Sequence, residues 1–167
     1  MDERLSIIFA RRSIRVYTGE PVSQEDIQSL LEAGMAAPSA SDRKPWHFVA
    51  VTDRNMLQAL ARAHPFGKMT AKAGVAIAVC GDPAISDWWV QDCSAATENI
   101  LVAAGGLGLG AVWLGSHGRP EREQAVRGVL GIPDCVGVLS LLSIGHPGEQ
   151  KEARTQYDPD RVHRNRW

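Results

Sequence analysis

Gly74 to Cys80 reads Gly-Val-Ala-Ile-Ala-Val-Cys, a run without a polar side chain. A strand with one wet face alternates apolar and polar residues, whereas an unbroken apolar run belongs to a strand covered on both faces. Whatever this chain folds into must therefore pack other elements on both sides of that strand. Three further strands are expected, at His47–Val51, Ala111–Leu114 and Val136–Ile144. The covering helices carry the 3.6-residue period. Leu5, Ile8 and Phe9 form a short stripe near the start. Ser23 suits an N-cap with Asp26 three residues on, followed by a buried face of Ile27, Leu30, Leu31 and Met35 and a stop at Pro38. Asp53–Ala63 presents Met56, Leu57, Leu60 and Ala61, and Pro120–Leu130 closes on Gly131. The longest helix spans Trp88–Gly106, with Cys93, Ala96, Ile100, Ala103 and Leu107 on one stripe. Its many alanines permit close approach by a neighbour, and its apolar sector is wider than a surface helix needs, which fits a core helix or a dimer interface. Helices and strands mix without strict βαβ alternation, so the expected class is α+β, a sheet with helices packed on it.

The 167 residues suit a single domain. A chain of this length buries about 70% of its unfolded surface and needs no disulfide or structural metal. Cys80, Cys93 and Cys135 are odd in number and far apart, which reads as buried thiols in a reducing compartment. A net charge of −1 gives no field for nucleic acid or anionic membrane. No run approaches the roughly 20 apolar residues of a membrane span. The start Met1-Asp2-Glu3-Arg4 is not a signal peptide, and a cytoplasmic protein is expected.

Several motifs fail on context. Gly106-Leu107-Gly108-Leu109-Gly110-Ala111 matches the dinucleotide fingerprint in letters, but it ends a helix and leads into a strand, the reverse of what pyrophosphate binding requires. Leu114-Gly115-Ser116-His117-Gly118 lacks the glycine two residues before the serine that a nucleophile elbow needs. His47, His64, His117, His146 and His163 show no metal-ligand spacing. The basic segment Arg11-Arg12-Ser13-Ile14-Arg15-Val16-Tyr17 reads as extended. Guanidinium forks match phosphate oxygens bidentately, so it can cage a phosphate; on a strand Arg11, Ser13 and Arg15 would share one face and Arg12 and Ile14 the other. Taken alone it reads more readily as a solvated basic edge strand. The compact loop Pro38-Ser39-Ala40-Ser41-Asp42-Arg43-Lys44-Pro45-Trp46 names no ligand by its own chemistry.

Taken in order, four segments resemble the nitroreductase family. Arg11–Arg15 is similar to its opening R-R-S-x-R, and Pro38–Trp46 to its P-S-A-x-N-x-Q-P-W loop. Asp92-Cys93-Ser94-Ala95-Ala96 through Gly108–Gly115 resembles its central helix and G-L-G-x-x-W-x-G segment. Ile144-Gly145-His146-Pro147, with Arg154, resembles its closing strand and basic tail. The resemblance implies a central mixed sheet flanked by helices and an intertwined homodimer. It implies noncovalent FMN in the interface, with NAD(P)H as co-substrate and a small-molecule electron acceptor such as a nitroaromatic, quinone or activated alkene, in a ping-pong reaction.

By position, Arg11 and Ser13 would meet the FMN phosphate with Arg12 nearby. Arg15 would lie at the flavin pyrimidine edge. Pro38, Ser39 and Ala40 would come from the other subunit, and Trp113, Leu114 and Gly115 would lie near N5. Arg154, with Lys151, would close over the phosphate, and the tail from about 146 to 167 would pack on the partner. No residue is expected to act as a covalent catalyst, because the flavin carries the electron chemistry. Asp42 and Lys44 depart from the family's Asn and Gln, and a charge pair of Asp42 with Lys44 or Arg43 could replace the amide contacts. Two other activities stay open on the same scaffold: flavin binding without turnover, and dehalogenation or flavin fragmentation, whose members usually carry an extra lid.

Overall fold

The computed structural model describes residues 2–167. Four strands, β1 (Trp46–Val51), β2 (Val75–Gly81), β3 (Gly110–Gly115) and β4 (Gly137–Gly145), form one sheet in the order β1-β2-β4-β3. Every residue of β2 is buried, as its unbroken apolar run requires, and it sits between β1 and β4. The helices are α1 (Ser6–Ala10), α2 (Gln24–Met35), α3 (Arg54–Ala63), α4 (Trp89–Gly106) and α5 (Pro120–Leu130). The period of two divides β2 between two cores. Val75, Ile77 and Val79 face α2 and α4 with Ile27, Leu30, Ala96 and Ile100. Ala76, Ala78 and Cys80 face α3 and α5 with Leu57, Leu60 and Val126. This three-layer α+β arrangement agrees with the class read from the sequence. The four strands pair antiparallel throughout; the parallel component expected of a mixed sheet is a single bridge from Ser13 to Ala111.

Local chemistry explains the boundaries. Ser23 Oγ accepts the Asp26 N–H at 3.0 Å and starts α2; Asp53 accepts the Met56 N–H at 2.9 Å and starts α3. Gly131, at φ 65°, stops α5 in the left-handed region. Gly106–Ala111 is a helix stop and turn, with Gly108 at φ 73°, so it presents no helix N-terminus to a dinucleotide.

Some expected core residues lie outside. Met35 and Met56 are 54% and 37% exposed. Gly34 takes the inward place beside Met35, because a Cβ there would come within 2.9 Å of Ile100 Cδ1 where α2 crosses α4. Leu5 and Ile8 are 46% and 53% exposed, so this side of the first helical segment is uncovered within one chain. Cys135 is exposed, against the expectation of buried thiols, since it sits in the turn before β4; Cys80 and Cys93 are buried, and burial pushes them up to about 11 and about 12. No helix among the described residues is long and apolar enough to cross a membrane.

Candidate functional site

Two adjoining depressions lie along β3, an edge strand of the sheet. The first, of about 300 Å³, is lined by Arg11, Arg12, Ser13, Arg15, Lys151 and Arg154. Five cations and a hydroxyl converge there, in a chain whose net charge is only −1. The arginine segment is extended, but it is not a regular strand: only Ser13 and Tyr17 make bridges. Strict alternation therefore fails, and Arg12 joins Arg11, Ser13 and Arg15 in the cleft.

Packing and a strap hold this segment. Ile14 is buried against Gly110, where a Cβ would lie 2.5 Å from Ile14 Cγ2, so only glycine permits the approach. The Ile14 N–H donates to the Ala111 carbonyl at 2.9 Å. Tyr17 anchors the far end, its hydroxyl 2.7 Å from the Ser143 carbonyl and pushed up to about 12 by burial. Residues 147–154 run alongside as the strap. Glu149 accepts the Arg15 N–H at 2.6 Å, which together with Lys151 holds its carboxyl below the usual range. Lys151 Nζ donates to the Ser13 carbonyl at 2.7 Å and lies 3.3 Å from Glu149. The Arg154 N–H donates to the Phe9 carbonyl at 3.1 Å, and the Arg12 guanidinium to the Glu152 carbonyl. Arg11 Nε is 3.0 Å from Glu98 of α4.

The second depression, of about 250 Å³, is lined by Arg15, His64, Phe66, Trp113, Leu114 and Gly115. Arg15 belongs to both, so the site is elongated, with a cationic end and an aromatic, apolar end. Gly115 is exposed, with nothing within 4 Å of the place its Cβ would take, so a flat molecule can lie against the backbone. His64, buried at the end of α3, links two walls. Its Nδ1 accepts the Phe66 N–H at 3.2 Å, so Nε2 carries the proton and donates to the Gly115 carbonyl at 3.1 Å. Burial lowers its pKa and keeps the ring neutral. Sequence reading missed this residue and Glu149; neither stands in a local pattern, and only the fold brings them to the cleft.

Pro38, Ser39 and Ala40 do not meet these residues within one chain. They sit at the start of α4, where Asp92 accepts the Ala40 N–H at 2.9 Å and the Ser86 hydroxyl at 3.0 Å. Arg11 lies by Gly105 at the other end of α4. Asp92 and Gly105 are separated by about 20 Å of helix. In the loop itself Lys44 pairs with Asp42 at 2.9 Å, one of the two charge pairs expected there. Ser41, Asp42 and Lys44 adopt positive φ of 52°, 56° and 51°.

The cationic end suits a phosphate and the flat end an aromatic ring system. The chain matches the nitroreductase family over residues 8–74 and 61–146. It is 51% identical, over all of both chains, to an Archaeoglobus fulgidus protein described as "Putative NADH dehydrogenase/NAD(P)H nitroreductase". The fold is similar to that of an FMN-dependent nitroreductase of Clostridium difficile R20291, with a TM-score of 0.92 and 30% identity over 98% of this chain and 99% of that one. It is also similar to an NADPH:FMN oxidoreductase of Vibrio harveyi complexed with NAD+, with a TM-score of 0.85 and 27% identity over 98% of this chain and 77% of that one. By sequence over its whole length and by fold, the chain belongs to the nitroreductase family.

Proposed function

We propose that two copies of this chain bind two molecules of FMN noncovalently between them and reduce a small-molecule acceptor at the expense of NAD(P)H. The observation that carries this reading is the elongated site, cationic at one end and flat and apolar at the other, with Arg15 common to both. Arg11, Ser13, Lys151 and Arg154 would hold the phosphate, with Arg12 beside them. Arg15 would face the pyrimidine edge of the ring, where its charge favours the anionic reduced form. Trp113, Leu114 and Gly115 would lie near N5. Bound there, FMN supplies hydride acceptance and electron delivery, and the chain supplies position and charge.

Pro38, Ser39 and Ala40 lie too far along α4 to reach the cleft of their own chain, which supports their acting on the partner's. The exposed apolar side chains of α1 and of the tail beyond Arg154, with Tyr157 at 70% and Trp167 at 98%, support the same two-chain arrangement. No histidine or carboxylate in the flat half is set to donate a proton: His64 is neutral with both nitrogens engaged. Acceptor protonation from water at an open face follows, with nitroaromatics, quinones and activated alkenes as the acceptor classes. Anaerobic titration of purified protein tests the reading. NADH or NADPH should bleach the visible flavin band, and a nitroaromatic or quinone should restore it. A flavin that neither nucleotide bleaches would contradict it.

A further inference from the structure

Phe66 and Arg122 stand at the rim of the flat half, and the assignments above leave both without a task. Phe66 is 62% exposed although it lines the depression. Arg122 Cζ lies 5.2 Å from the Phe66 ring centroid, and its NH1 donates to the Gly115 carbonyl at 3.3 Å. That carbonyl also takes the His64 Nε2–H, and His64 holds the Phe66 backbone. One buried imidazole thus fixes both the backbone that carries the exposed ring and the carbonyl on which the guanidinium rests.

Charge accounting then isolates Arg122. No carboxylate lines the depression. Among the described residues neither Arg15 nor Arg122 has a side-chain ion pair. Arg122 Nε is buried without a partner. The terminal nitrogens of the guanidinium are not buried, and beyond the Gly115 contact they can take an anion at the rim in a charge-assisted bond. Arg15 also lines the cationic end and has its task at the ring edge, whereas Arg122 has no such task.

We propose that Phe66 and Arg122 form a substrate-recognition lip that selects flat aromatic substrates bearing an anionic group. Phe66 stacks on the ring and Arg122 receives the charge. This rests on reading the site as that of FMN and adds the class of substrate. The anion is either a carboxylate on the acceptor or the phosphates of the dinucleotide donor.

The FMN-loaded protein is titrated with benzoate and with benzyl alcohol, neither of which is reduced, while the flavin absorbance is followed. Benzoate should bind about tenfold more tightly, in line with one partly solvated charge-assisted contact. Arg122→Gln should remove the difference and Arg122→Lys should keep most of it. Phe66→Ala should weaken both probes alike. Thermal melting confirms that each variant is folded. Steady-state kinetics of Arg122→Gln then assign the anion: a KM raised for 4-nitrobenzoate places it on the acceptor, and one raised for NADH or NADPH places it on the donor. Unchanged benzoate affinity together with unchanged KM for both substrates would overturn the proposal. A protein with no affinity for FMN would instead overturn the reading on which it rests, so the two failures are distinguishable.

Discussion

Arg11 pairs with Glu98 in the isolated chain, yet it lines the cationic cleft with four other cations. A bound phosphate would give that crowded charge its counterpart. Arg11→Ala should therefore leave the fold intact and weaken FMN binding by about 10- to 150-fold, the equivalent of about 1.5–3 kcal/mol for a charge-assisted contact. Equilibrium dialysis of a folded variant measures this; unchanged affinity would return Arg11 to the role of a solvated edge. Glu149 makes a pH-dependent prediction. Its carboxyl is held below the ordinary range by the Arg15 N–H and Lys151, so it binds fewer protons folded than unfolded near its pKa. The stabilisation is present above the unfolded value, about 4.3, and is lost as pH falls through the depressed folded value. Glu149→Gln should melt lower than the parent at neutral pH, with the gap closing in acid; a gap that widens in acid would reverse the sign. At this scale the clustering of Arg11, Arg12 and Arg15 was legible because the three are close in sequence. Glu149, His64 and Arg122 were not, since each acts on a backbone group brought to it by tertiary packing.

The elements with both a cap and an apolar stripe, α2 and α3, could be placed nearly to the residue. Period predicts which face turns inward, but not what neighbouring elements leave room for. Met35 and Met56 turn outward although they sit at helical spacing, and Gly34 goes inward because α4 passes too close for a side chain. The arginine segment read as extended, and it is, but it forms only isolated bridges, because the strap at 147–154 supplies its other partners. Of the apolar stripe Leu5, Ile8 and Phe9, only Phe9 is partly covered in one chain; Leu5 and Ile8 are 46% and 53% exposed, as is their neighbour Ile7 at 41%. A cluster of this kind supports the proposed interface. Ile8→Asp should shift the protein toward monomer in sedimentation velocity and lower its FMN content together. A variant that stays dimeric with full flavin would place the interface elsewhere.

On the scale of the whole molecule, the proposed site has parts at opposite ends of α4, so the proposal requires a second copy. In the proposed dimer, closed two-fold symmetry would bring the Pro38–Ala40 loop of one chain to the arginine cleft of the other and make two equivalent sites. The tail beyond Arg154 is exposed along most of its length, as a segment destined for the partner would be. In the proposed reaction donor and acceptor would share one open face, and the oxidised nucleotide would leave before the acceptor stacks. Initial rates should give parallel double-reciprocal lines; intersecting lines with an isolable ternary complex would show two separate binding places. All of this depends on the identity of the cofactor. The most direct measurement is the absorbance spectrum of the purified protein, with chromatographic identification of whatever denaturation releases. The account predicts a yellow protein that releases FMN quantitatively, one per chain. Release of FAD, a flavin that stays with the denatured chain, or a colourless protein that cannot be loaded with FMN would contradict it.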